Sequence, residues 1–69
     1  MTQYQLPKKW IDYLVNEPES GMGYQIVDIH FKKHSTLKDI IVSNCEIFES
    51  KHTKLDLNTI DKIVLKIKP

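Results

Sequence analysis

Apolar and polar side chains alternate along residues 23–33 of this chain. Val27, Ile29 and Phe31 fall on one side of the alternation, and Asp28 falls on the other. A period of two is typical of a β-strand that has one face on a hydrophobic core. The stretch is also rich in β-branched and aromatic residues, which suit a pleated sheet. We therefore predict a strand over residues 23–33, around which the remaining elements are organised.

Two further strands are predicted to follow the first in hairpin order. The polar connection 33–36 lacks glycine, which favours a four-residue turn, and an apolar run then predicts a strand over residues 36–43. Asn44 and Cys45 predict a two-residue turn, because asparagine tolerates a positive φ angle. Glycine would suit the second turn position better than cysteine. A third strand is predicted over residues 46–50.

One amphipathic helix is predicted before the strands, over residues 7–16. Pro7 suits a first helical position, and Pro18 disfavours helical geometry at the residue before it. A helix of about ten residues is not stable alone in water, so its apolar stripe is expected to dock on the sheet, with the tryptophan contributing most. Residues 1–5 are expected to be a frayed end, with the alternative that Tyr4 and Leu6 pack back on the domain. The apolar stripe of the predicted helix consists of Trp10, Ile11, Leu14 and Val15.

The last part of the chain predicts shorter elements. We expect a short strand over residues 54–57, a single helical turn capped by Asn58 or Thr59, and a final strand over residues 62–68. Residues 1–69 thus predict one mainly β domain of the α+β type, with one N-terminal helix. About five short strands would form either a small closed barrel or a strongly bent antiparallel sheet.

This order of elements resembles that of small SH3-like and Sm-like β-barrels. The resemblance covers the order along the whole chain and rests on no diagnostic motif. For an Sm-like protein it would imply ring formation and RNA binding, but no binding residue can be carried over. The segment PESGMGYQ, residues 18–25, also resembles segments of short bacterial proteins without an assigned function.

Composition narrows the class of protein. Sixty-nine residues allow one domain, and a domain this small is stabilised by an unusually compact core or by self-association. One cysteine excludes an internal disulfide and a cysteine-based metal site. A formal charge of +1 gives no footprint of a dedicated nucleic-acid binder. With no membrane-length apolar run and no signal region, we expect a cytoplasmic protein without membrane contact.

Two features predict a protein partner, and the first interpretation is a small non-catalytic interaction domain that self-associates. Some apolar residues fall on the face opposite their strand's core residues, where they are either covered by the helix or exposed to a partner. The loop before the first strand holds both glycines, which suits close approach of a partner or, alternatively, a helix-to-strand corner. The predicted partner-binding residues are Gly21, Met22, Gly23, Tyr24, Ile26, Leu37 and Ile41.

The alternative interpretation is an RNA- or DNA-binding barrel. Basic residues surround the first hairpin, and aromatic rings on the outer strand face would provide a stacking platform. Nearby acidic residues reduce the positive electrostatic potential of this surface, which would weaken its attraction for phosphates. The predicted nucleic-acid contacts are His30, Lys32, Lys33 and Lys38.

Catalysis is a remote alternative. Asp28 and His30 lie two residues apart on one strand face, which provides a base and a carboxylate that orients it. No activated nucleophile accompanies them, so the prediction is that the protein is not an enzyme. His30, His34 and His52 show no spacing that makes them converge on a zinc ion. We expect no metal and no cofactor.

Overall fold

The computed structural model describes residues 1–33 and 35–66, and these form one open antiparallel sheet with a single helix. The sheet is mainly built from two hairpins, and its strand order is β1-β4-β3-β2-β5. The elements in chain order are β1 (Thr2–Gln5), α1 (Lys8–Val15), β2 (Tyr24–Phe31), β3 (Thr36–Ser43), β4 (Ile47–Ser50), a 3-10 turn (Leu57–Thr59) and β5 (Ile60–Leu65).

Strand β2 confirms the alternation of buried and more exposed residues predicted from the sequence. Val27 and Ile29 are fully buried and Phe31 is 8% exposed, so these β2 residues face the core as predicted. The turn at Asn44 and Cys45 is also confirmed, because both residues have positive φ angles of 53° and 65°. A β2-to-β3 and β3-to-β4 meander follows, as the sequence predicts.

The N-terminal residues form a strand, so the expected frayed end is wrong. β1 pairs with β4, and the ring of Tyr4 stacks on Phe48 with a centroid distance of 5.3 Å. The Tyr4 hydroxyl donates to the carbonyl of His52 (2.6 Å) and accepts from the amide of Leu55 (3.3 Å). Leu6 is buried after the strand. These aromatic and hydroxyl contacts hold the terminus on the sheet.

Residues 54–57 do not form the predicted strand. Asp56 instead caps the 3-10 turn, since its carboxylate accepts a hydrogen bond from the amide of Asn58 (3.0 Å), and its carbonyl accepts one from the Thr59 hydroxyl (2.7 Å). Leu55 packs against the core from this irregular segment. The last strand begins earlier than predicted, at Ile60, and residues 67–68 of the prediction lie outside the described residues, as does His34.

The sheet is not closed, so a closed SH3-like barrel is not confirmed. Strands β1 and β5 are its two edges, and within the described ranges they do not pair with each other. β3 and β4 pair only at Val42 with Phe48 and at Ser43 with Ile47, after which β4 continues along β1. The result is an open antiparallel sheet of five strands.

One face of the sheet, the inner face, carries the core beneath α1. Leu14 is the buried residue of the helix and is completely inaccessible to solvent. Trp10 is partly buried against the core, and Val15 is 63% exposed. Leu14, rather than Trp10, is therefore the main anchor of the helix. The buried apolar residues are Leu6, Leu14, Val27, Ile29, Phe31, Val42, Phe48, Ile60 and Ile63.

A bulge in β3 decides which side chains reach the inner face. Val27 lies opposite Ile40 and Ile29 opposite Leu37, so β3 contains one residue more than β2 over this stretch. Asp39, within it, has a positive φ angle of 56°. Because of the extra residue, Leu37 and Ile40 both point toward the core.

Gln25 fixes the end of the helix from the adjacent strand. Its side chain is fully buried, and its Nε2 donates to the carbonyls of Leu14 (3.0 Å), Glu17 (3.2 Å) and Pro18 (3.3 Å). The last carbonyls of a helix lack partners within the helix, so Gln25 supplies donors that the helix cannot. Its own Oε1 is buried and has no hydrogen-bond partner.

Gln25→Leu is expected to lower the free energy of unfolding by about 1–3 kcal/mol, the usual cost of removing one partner from a buried hydrogen bond, although the Leu14 carbonyl keeps the amide of Glu17 (3.0 Å). Removing the unpaired Oε1 acts in the opposite direction, which keeps the loss below the sum of three hydrogen bonds. Urea denaturation measures the difference, with Gln3→Leu, an exposed position on β1, as the matched control. A Gln25→Leu variant as stable as the original protein would mean that the unpaired oxygen outweighs the three contacts.

Candidate interaction surface

The outer face of the sheet, opposite the inner face, carries an apolar patch on its central strands. Ile26 on β2 lies directly opposite Ile41 on β3, and Ile41 is 56% exposed. Both point away from α1, so they do not receive the helix stripe. We call the following residues the outer patch: Tyr24, Ile26, Ile41, Ile47 and Val64.

The patch extends across four strands of the sheet. Ile47 on β4 is half-buried and adjoins Ser43 of β3, while Val64 on β5 is 42% exposed and lies opposite Asp28. The ring of Tyr24 is 37% exposed at the start of β2. Contiguous exposed apolar residues on a small domain usually mark a site of association.

An ion cluster crosses the outer face within the patch, between Val64 on β5 and Ile41 on β3. The Nζ of Lys66 lies 2.8 Å from the carboxylate of Asp39 and 3.6 Å from that of Asp28, which also accepts a hydrogen bond from the Asp39 amide (3.0 Å). The hydrogen bond to Asp39, reinforced by Asp28, raises the pKa of Lys66 above its ordinary value. A raised pKa means that this stabilisation is complete below the ordinary lysine pKa and is lost only as the pH rises through the raised value.

Charges of opposite sign flank the patch. Glu49 is exposed on β4, on the same outer side as Ile47. On the far side, Lys62 is exposed on β5 opposite His30, and the Lys66 ammonium lies in the ion cluster. The outer face therefore carries Glu49 toward β4 and Lys62 toward β5, while the ammonium of Lys66 is balanced by the carboxylates of Asp39 and Asp28.

The loop between α1 and β2, which contains Gly21 and Gly23, forms a tight helix-to-strand corner, one of the two alternatives predicted from the sequence. A Cβ atom at Gly21 would overlap the ring of Tyr24, so this position accepts no side chain in the observed packing. Gly23 has a φ angle of 82°, and its amide donates to the carboxylate of Glu19 (2.7 Å). Met22 between them is fully exposed. Packing and backbone geometry explain both glycines without a partner.

The predicted nucleic-acid contacts lie at and near the connection between β2 and β3. His30 lies on the outer face, where its Nδ1 is 3.2 Å from the Thr36 hydroxyl. Thr36 and Lys33 line one cleft, and Lys32 and Lys38 are exposed. Leu37, a predicted partner-binding residue, packs against the core, apart from the outer patch.

The residues considered for catalysis have other partners. Asp28 contacts Asp39 and Lys66, and His30 contacts Thr36, so each side chain of the candidate pair is held by another group. Among residues 1–33 and 35–66, no group of three or more histidine, cysteine or acidic side chains is placed to hold a metal ion. Partial burial, reinforced by Glu19 and Glu46, raises the pKa of the Cys45 thiol, which favours its unreactive protonated form.

Two residues of the outer patch were not predicted from the sequence. Alternation along the last strand places Ile63 and Leu65 on one face, and this leaves Val64 on the other face, opposite Asp28 of β2. The sequence predicts a strand over residues 46–50 but does not indicate which face of the sheet Ile47 occupies. The sequence contains a signal for both residues. Each is directly adjacent to a buried residue, Ile63 or Phe48, and adjacent residues of a strand point to opposite faces.

Comparison with known proteins identifies no relative: no family model matches the chain, and neither a curated protein nor a solved structure matches it. In the part of the chain that the structure describes, no helix has the length and apolar character needed to cross a membrane.

Proposed function

We propose that this protein is a non-catalytic interaction domain that self-associates, with the outer patch of one copy packing on the outer patch of a second. The observation that carries the proposal is the exposure of Ile41, Val64 and Tyr24 on a sheet whose other face is already covered by the helix and the core. Burying these side chains removes apolar surface from water, which favours association.

The register of the central strands favours a second copy as the occupant. A twofold axis parallel to the strands, between β2 and β3, would place Ile26 of one copy over Ile41 of the other. The same axis would bring Glu49 on β4 toward Lys66, which follows β5 and also contacts Asp39 and Asp28. Symmetric dimers use one self-complementary patch on both subunits, and the direct pairing of Ile26 with Ile41 is compatible with this symmetry.

A stable dimer of this kind would cover a substantial fraction of the chain's surface. The accessible surface of the chain is 4982 Å². A standard stable interface buries about 800 Å² per partner, roughly a sixth of that surface. Two sheets packed face to face at about 10 Å would interdigitate the outer-patch side chains as in a β-sandwich.

Nucleic-acid binding has less support from the geometry. A phosphate-binding surface needs several cations on one face. On the outer face, the carboxylates of Asp28 and Asp39 lie among the basic groups. We therefore retain self-association as the proposed function.

Ile41→Glu tests the proposal directly. Ile41 is already 56% exposed, so the fold of each copy should remain, with its stability changed by about 0.5 kcal/mol or less. A carboxylate at the centre of the apolar contact should weaken self-association by about 100-fold, because a charge would be buried without a partner. Sedimentation velocity at micromolar concentrations measures the change.

Val15→Glu is the matched control, because Val15 is 63% exposed on α1, away from the outer face. This variant should sediment like the original protein. The proposal fails if the original protein is a monomer throughout the concentration range, or if Val15→Glu disrupts association as strongly as Ile41→Glu.

A further inference from the structure

A second surface feature is a cleft of about 450 Å³ at the hairpin end of the sheet, distinct from the outer patch. Its walls are the connection between β2 and β3 and the segment that precedes β5. The residues that line it are Phe31, Lys33, Ser35, Thr36, Leu37, His52, Lys54, Leu55, Asp56 and Thr59.

The cleft combines an apolar floor with a basic rim. Phe31, Leu37 and Leu55 supply apolar side chains that also pack on the core. Lys33 and Lys54 are exposed, and among the described residues neither ammonium group forms an ion pair. Two unpaired cations beside an apolar floor are suited to a ligand with an anionic group and an apolar body.

The lining also contains one acidic residue, Asp56, so the cleft has two ammonium groups and one carboxylate. The carboxylate of Asp56 accepts the amide hydrogen of Asn58 at 3.0 Å, as the cap of the 3-10 turn. The Thr59 hydroxyl donates to the Asp56 carbonyl. By contrast, the Ser35 hydroxyl has no hydrogen-bond partner among the described residues and can donate to an anion.

The far wall of the cleft is fixed in place without a ligand. The Tyr4 hydroxyl holds both the carbonyl of His52 and the amide of Leu55, the two residues that carry this wall. A site that is already formed loses little conformational entropy on binding. The wall therefore supports a binding site rather than a gap in a mobile loop.

We propose that this cleft binds an organic phosphate of about nucleotide size. The phosphate would lie between Lys33 and Lys54 with the Ser35 hydroxyl as a further donor, and the base or other flat body would lie on Phe31, Leu37 and Leu55. The volume lies within the range of about 300–1,000 Å³ that is usual for small-ligand sites. This inference is independent of self-association, since the cleft shares no residue with the outer patch.

The first experiment is a ¹H–¹⁵N correlation titration of the full chain with adenosine 5′-monophosphate. Saturable shifts are expected at the amides of Ser35, Leu55 and Thr59. Adenosine and inorganic phosphate, which each supply half of the ligand, should bind at least about tenfold more weakly. A short oligothymidylate distinguishes the source of the phosphate, since a strand that displaces the mononucleotide from these amides would be the preferred ligand.

The second experiment is the double variant Lys33→Ala/Lys54→Ala. Loss of two charge-assisted hydrogen bonds should weaken binding of the mononucleotide by about tenfold for each lysine. The matched control is Lys32→Ala/Lys38→Ala, which removes the same charge from the same hairpin without altering the cleft lining. Binding to the control should stay within about twofold of the original protein.

Two results would overturn the inference. The first is an absence of shifts at these amides with mononucleotide up to about 10 mM, which excludes a specific site. The second is an equal loss of binding in the two double variants, which would show that the overall positive charge of the hairpin, and not the cleft, attracts the ligand.

Discussion

Phe48→Ala is expected to lower the free energy of unfolding by about 3–5 kcal/mol, the usual cost of removing a buried aromatic ring. The Phe48 side chain is 1% exposed and stacks on Tyr4. Phe48 also belongs to one of the two residue pairs that join β3 to β4. Its loss therefore loosens the core and the junction that carries β1 and β4.

The effect approaches the whole stability of the domain. At about 0.05–0.15 kcal/mol per residue, a chain of this length has an unfolding free energy of about 3–10 kcal/mol. Urea denaturation followed by far-ultraviolet circular dichroism measures the loss. Phe48→Leu keeps most of the apolar volume and should retain a cooperative transition. Near-original stability for Phe48→Ala would contradict the assignment of Phe48 to the core.

The second large effect is expected for Leu14→Ala, at about 2–5 kcal/mol. Leu14 is fully buried and anchors α1. Trp10→Ala should cost less despite the larger side chain, because Trp10 is only partly buried and makes its edge-on ring contact, at 6.0 Å, with Tyr13 of the same helix. A helix this short depends on such docking for its stability.

Val15→Ala is the control for Leu14, since Val15 is 63% exposed on the same turn. It should change the free energy of unfolding by about 0.5 kcal/mol or less. If Trp10→Ala proves more destabilising than Leu14→Ala in urea denaturation, the helix docks through its tryptophan, and the anchor assigned here is wrong.

The strands that the sequence predicted well are those whose pattern is local. Alternation along β2 identifies Val27, Ile29 and Phe31 as core residues, and Asn44 marks a turn because few residues tolerate its backbone angles. Neither inference needs knowledge of a distant neighbour, and this explains why the central meander was predicted with nearly correct boundaries.

The features that the sequence did not predict depend on contacts between distant residues. β1 is a strand because Tyr4 meets Phe48 and reaches the loop at His52. Gln25 is polar, yet it is buried, because its amide donates to carbonyls at the end of α1 and in the loop that follows. The bulge at Asp39 turns Leu37 toward the core. No residue near Asp39 in the sequence indicates that a bulge forms there.

The candidate site likewise contains residues that local sequence patterns predict and residues that depend on distant contacts. Tyr24, Ile26 and Ile41 were predicted to bind a partner, and they lie together on the outer face. Ile47 and Val64 were missed, because strand order decides which residues lie beside them. The cleft at Lys33 and Lys54 brings together residues far apart in the chain, so a local pattern could not reveal it.

The most direct test of the central proposal is an isotope-filtered nuclear Overhauser measurement on a mixture of labelled and unlabelled chains. It detects only contacts between copies. We predict intermolecular contacts between the methyl groups of Ile26 and Ile41, as expected for outer patches that face each other around a twofold axis. An absence of intermolecular contacts at these methyls, or contacts confined to Val15 and Met22, would contradict the proposal.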